Sequence, residues 1–207
     1  DVTAAASFPG PTKEEAGGGI FARRTLESEV RGMEVRAGKA SYVLGVLGKR
    51  KCRAGGELGS DGSAWSRIGA ELPPARKEEA GASVAADLRI TGGRSTVVRF
   101  VLTWHAPEWN TGGYNWAGAE HSFVHMYAKH YPSARSSAAR LARDHRSLLR
   151  RIIGWQQVVY GHEALPVWLR ESLVNVLHMI AEDGLWAQAK PPVPAWARAR
   201  LNCPLWW

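Results

Sequence analysis

Apolar positions along the chain change rhythm once, near residue 105. Before it they come in short runs cut by glycine. "GIFARRTL" (19–26) and "SYVLGVLG" (41–48) are apolar segments bounded by turn residues, which predicts strands. "ASVAADLRI" (82–90) and "TVVRFVLTW" (96–104) predict a strand pair, with the Gly-Gly of "TGGRS" (91–95) as its turn. Residues 1–20 are small, polar and glycine-rich and predict irregular chain, as does "AGGELGSDGS" (54–63). "HAPEWNTGGYNW" (105–116), with Pro107 and Gly112-Gly113, predicts an irregular linker between a β part and an α part.

Beyond the linker the spacing becomes helical. Ala138, Leu141, Ala142, His145, Leu148, Leu149, Ile152, Trp155 and Val159 recur on one face of a helix that starts at Pro132-Ser133 and stops at Gly161. Its other face carries Arg135, Arg140, Arg143, Arg146, Arg150 and Arg151 against one acid, Asp144. A second helix is predicted from Pro166 to about Glu182, ended by Asp183-Gly184. Its apolar set is Trp168, Leu169, Leu173, Val176, Leu177 and Ile180. The short "HEAL" link implies antiparallel neighbours. "AKPPVPAW" (189–196) is held extended by its prolines.

Composition sharpens the division. Nine of the ten tryptophans lie at or after Trp104, so the second half has more to bury. The net charge of +8 permits attraction to nucleic acid or anionic lipid without requiring either. Cys52 and Cys203 are too few and too far apart for a disulfide framework or a zinc site. No stretch approaches the roughly 18 apolar residues of a membrane span, so no transmembrane segment is expected. The start at Asp1 carries no signal-peptide pattern and no Met, and the expectation is a fragment.

Each candidate motif has a plain reading beside it. His121, His125 and His130 lie in "HSFVHMYAKH", where the first two could face a metal from one helix side. The zincin glutamate is missing, so ordinary histidines and no metal are expected. The arginine face could track phosphates, yet arginine also solvates an exposed helix, and no nucleic acid is expected. "KRKCR" (49–53) reads as a solvated turn. Neither a phosphate-cradling loop nor a nucleophile elbow is present, and no cofactor is expected. Trp104, His105, Glu108, Glu182, Asp183 and Trp186 remain. Acids near tryptophans suit a sugar site, which stacks pyranose rings on aromatic faces, although Glu182-Asp183 also makes an ordinary helix-ending turn.

Three stretches carry a resemblance: "FVLTWHAPEW" (100–109), "GWQQVVYGHEALPVWLRES" (154–172) and "SLVNVLHMIAEDGLW" (172–186). With the pattern L-P-x-W-x-x-x-S-L-x-N-x-L over 165–177, they resemble glycoside hydrolase family 116, whose members include glucosylceramide-cleaving β-glucosidases. The resemblance covers about residues 97–196. It implies an N-terminal β-sandwich (a remnant over 1–105) and then the first helical hairpin of an incomplete (α/α)6 catalytic barrel (106–196). The tail 197–207 matches nothing in the family. It also implies a carbohydrate or glycolipid partner, and a cleft where Trp104, His105 and Trp186 meet. The family's N-E-L motif, whose glutamate is the nucleophile, stands here as Asn175-Val176-Leu177. The family's acid, an aspartate further downstream, would lie beyond Trp207. The expectation is therefore a fragment of a divergent hydrolase of β-linked glucosides or glycolipids, without catalytic residues and inactive as given. A non-catalytic carbohydrate-binding or structural relative, and a small basic nucleic-acid-binding protein, are the alternatives.

Overall fold

The computed structural model describes residues 1–12, 19–48, 50–110, 122–182 and 187–189. Antiparallel sheets come first and two helices follow. In chain order the elements are β1 (Val2–Phe8), β2 (Ala22–Glu27), β3 (Val30–Ala37), β4 (Ala40–Leu47), β5 (Arg53–Gly55), β6 (Ala82–Leu88), β7 (Phe100–His105), β8 (Glu108–Asn110), β9 (Ser122–His125), α1 (Ala134–Tyr160), α2 (Val167–Glu182) and β10 (Ala187–Ala189). The chain forms two compact units, Asp1–Ala106 with Tyr131–Arg143, and Pro107–His130 with Asp144–Trp207.

In the first unit the sheets run β1-β6-β5 and β2-β3-β4-β7, every pairing antiparallel. Strand β4 shows why they stack. Successive side chains alternate between faces, so Tyr42, Leu44 and Val46 point one way and Val43 the other, and all are buried. The first set joins Met33, Val35 and Phe21 against Ala82, Val84 and Ala86 of β6. Small residues on β6 let large ones from the facing sheet fill the gap. On the outer face, Leu26, Val30, Val43 and Val101 pack on Ala134 and Ala138 in the first turns of α1. The Thr103 hydroxyl donates to the Ala134 carbonyl at 2.8 Å and fixes that start.

Two expectations are corrected here. Residues 1–20 are not irregular throughout, because Val2–Phe8 pairs along its whole length with β6, from Val2↔Leu88 to Phe8↔Ala82. Alanine is a poor strand former by itself. Here Ala4 and Ala5 lie opposite Ala86 and Ala85, and the neighbouring strand supplies the order that composition lacks. The stretches 82–90 and 96–104 are strands but not partners. Gly93 does turn the chain (φ 73°, with Arg94 N–H donating to the Thr91 carbonyl at 3.0 Å). However, β6 already has β1 on one side and β5 on the other, so β7 crosses over and pairs with β4. Strand β3 escaped the apolar pattern because Arg31, Glu34 and Arg36 interrupt it. Glu34 is only 1% exposed, and one carboxylate oxygen accepts from Arg36 at 3.0 Å.

A clamp holds the chain that leads into β6. The Arg23 guanidinium donates to the carbonyls of Arg76 (2.7 Å), Glu79 (2.6 Å) and Gly81 (2.8 Å). The Tyr42 hydroxyl donates to Ala80 in the same segment. Removing the fork by Arg23→Ala should cost about 1–3 kcal/mol, while Arg23→Lys, a point donor, should recover only part. Urea unfolding followed by far-UV circular dichroism would measure both, and equal stability of all three proteins would refute the clamp.

Helix α1 begins as its sequence suggests. Ser136 N–H donates to Ser133 Oγ at 3.0 Å, and Ser133 N–H donates to Ser136 Oγ at 3.1 Å, a reciprocal cap. It ends where Gly161 N–H reaches the Gln157 carbonyl at 2.9 Å.

In the second unit β8, β9 and β10 form a small sheet in the order β10-β9-β8. The linker is therefore not wholly irregular: Glu108–Asn110 pairs with β9, from Glu108↔Val124 to Asn110↔Ser122. Residues 111–121 lie outside the described residues. Nor is "HSFVHMYAKH" helical where it is described. Ser122–His125 is strand, and Met126–Lys129 is a 3-10 turn. A helix-face histidine pair is thereby lost, because β9 is taken up on both edges by sheet pairing. The apolar stripe continues along α1 and α2, but much of it is open to solvent. Leu149, Ile152 and Trp155 are exposed on α1, and Trp168 on α2 is 67% exposed.

Candidate functional site

Strand alternation decides the fate of the tryptophan–histidine pair. Trp104 lies opposite Tyr42 in the register, on the face turned toward the other sheet. Its ring stacks on Tyr42 (centroids 6.3 Å apart, planes 8° apart) and meets Phe8 nearly edge-on (5.8 Å, 84°). Because β7 is the edge strand, Trp104 remains 41% exposed. His105, one residue on, shares the opposite face with Val101 and Thr103. The two residues that the sequence grouped do not share a surface.

The acids lie in the other unit. Glu108 opens β8. Glu182 is the last residue of α2, and its side chain lies outside the described residues, as do Asp183, Trp186 and the tail 197–207. Val176 sits on α2, 44% exposed. Of the six candidates, the side chains of Trp104, His105 and Glu108 are among the described residues.

The histidines are equally dispersed. His121 lies outside the described residues. The His125 ring stacks on Tyr127 (5.5 Å, 25°), and burial holds its pKa below the ordinary 6.5. Among the described residues, no group of three His, Cys, Asp or Glu could hold a metal ion, and no helix is long and apolar enough to cross a membrane. The arginines of α1 stand exposed on its outer side.

A cleft that sequence reasoning missed opens at one end of the sandwich. It encloses about 510 Å³ between the β2–β3 hairpin and the chain entering β5, with Thr25, Glu27, Arg31, Met33, Lys51 and Cys52 among its walls. Glu27 and Arg31 are cross-strand partners and so share a face. The Cys52 thiol is half-buried. Burial pushes its pKa up, with Arg31 opposing and Glu27 adding to the rise, so the neutral form is favoured and nucleophilicity is poor. "KRKCR" was the available signal, but its meaning depended on the unread strand β3. Comparison with protein-family models, curated proteins and solved structures found no match.

Proposed function

We propose that the chain is a fragment of a hydrolase scaffold of the glycoside hydrolase family 116 kind, and that it is catalytically silent. In this reading the sheets are the sandwich and α1–α2 the first helices of an (α/α)6 barrel, whose complete form would act on β-linked glucosides or glycolipids. The motif Leu165-Pro166…Trp168…Ser172-Leu173…Asn175 supports the family. The observation that carries the incomplete barrel is the uncovered part of the stripe: Leu149, Ile152 and Trp155 on α1, with Trp168, Leu173 and Val176 on α2. A helix buries such a stripe against neighbours, and a barrel would supply them. Val176 also favours a second reading, a sugar-holding relative without chemistry, since valine offers no carboxylate.

Hydrogen exchange tests the incomplete layer. Amides of 144–160 and 167–182 are expected to exchange orders of magnitude faster than those of β3, β4 and β6, and the chain should bind an apolar dye. A monomer that binds no dye and protects 144–160 as strongly as β4 would overturn the incomplete-barrel reading.

A further inference from the structure

We propose that the cleft between the β2–β3 hairpin and the chain entering β5 is a binding site for a small organic anion, its charged head on Arg31 and Lys51. The size suits such a ligand: about 510 Å³ falls in the usual range for small-molecule sites. The walls suit its chemistry. Met33 and Ala54 offer an apolar lining, and no aromatic ring is present among the lining residues on which a sugar could stack.

The decisive observation is Arg31. Its side chain is half-buried and its Nε is sealed from solvent, yet that nitrogen has no hydrogen-bond partner. Glu27 lies directly across the ladder, but the two form no ion pair. Nε is sealed and meets no ligand itself, so the donors left for an acceptor from outside are the two terminal nitrogens of the guanidinium. Its planar fork matches a carboxylate or phosphate oxygen pair. Lys51, exposed on the cleft wall, adds a second cation against the single acid Glu27, and the Cys52 thiol is neutral. The local balance therefore favours an anion.

Cys52 provides the readout. In a Cys203→Ser background it is the only thiol, and its alkylation by neutral iodoacetamide reports whether the cleft is open. Hexanoate, inorganic phosphate and hexanol are the probes, at constant ionic strength. Hexanoate should slow alkylation saturably, about tenfold once it stands near ten times its Kd, with phosphate weaker and hexanol without effect. Arg31→Gln should abolish the protection and Arg31→Lys retain part of it. If Arg31→Gln does not fold, the exposed Lys51→Gln replaces it, and weaker hexanoate protection is expected. Absence of saturable protection by hexanoate would overturn the proposal. So would protection that persists in the folded Arg31→Gln protein (or unchanged in Lys51→Gln), equal protection by hexanol, or phosphate protecting as well as hexanoate.

Discussion

Replacing Tyr42 by alanine is expected to lower the stability of the first unit by about 3–5 kcal/mol, enough to threaten its folding at 37 °C. Tyr42 is fully buried at the centre of the stacked sheets. It meets Phe8 edge-on at 5.0 Å, stacks with Trp104 and donates its hydroxyl to Ala80. Truncation would leave a void where three rings and a loop now converge. Tyr42→Phe separates the parts: the rings stay, and only the buried Ala80 carbonyl loses its donor, for about 1–3 kcal/mol. Burial pushes the phenol pKa above its ordinary 10.0, with Arg23 opposing and Glu57 adding to the rise. Below that value the group is neutral in both states, and its contribution is complete. Above it, the unfolded chain loses the proton while the folded chain keeps it, so stability falls as pH rises. The stability gap between wild type and Tyr42→Phe should therefore be flat from about pH 6 to pH 9 and narrow beyond about pH 10. Urea titrations across that range would measure it. A gap that widens in alkali would show that the phenol is not the buried neutral donor described here.

The same residue shows why only some of the fold could be read in advance. Strand β4 was legible because Tyr42-Val43-Leu44 sits among apolar residues between turn signals, and a buried strand needs little else. Its partners were not legible. Pairing is a long-range choice, settled by which sheet edge is vacant, and β6 had none left for β7. Strand β1 hid in alanines, and β3 hid behind Glu34, whose burial depends on Arg36 reaching it from two residues away. Helix α1 was legible at both ends because caps are local: Ser133 and Gly161 act within a turn of themselves. Helical spacing nevertheless could not say that Ile152 or Trp168 would remain exposed, since periodicity identifies a face and not its cover.

The candidate site follows the same logic. Trp104 and His105 were grouped because acids near tryptophans suit a sugar site and because the resemblance implied a cleft there, whereas successive residues of a strand point to opposite faces. The predicted strand ended at Trp104 and left His105 to the linker, and its extension by one residue in β7 is what sets the two on opposite faces. The cleft, in contrast, required Glu27 and Arg31 to be brought into register by β2–β3 pairing and Cys52 to be placed opposite them. No local pattern announces such a juxtaposition.

The chain as given is expected to hydrolyse no glycoside. A retaining glycosidase holds two carboxyl groups about 5–5.5 Å apart, one attacking the anomeric carbon and one protonating the leaving oxygen. By resemblance the attacking position is Val176, whose side chain can neither attack nor carry charge. The two acids that follow it, Glu182 and Asp183, are adjacent in sequence. Glu182 closes α2. Val176→Glu alone should restore no cleavage of an alkyl β-glucoside, because an alkoxide leaves poorly without a proton donor, a contribution of about 10²–10⁴ in rate. The assay compares the chain, Val176→Glu, and the Glu182→Ala/Asp183→Ala double variant on 4-nitrophenyl and alkyl β-glucosides. Turnover by the unaltered chain that vanishes in the double variant would refute the silent reading and assign the chemistry to those two acids. Cleavage of the alkyl glucoside by Val176→Glu would mean that a proton donor stands within reach of α2, and the proposed absence of an acid partner would fail with it.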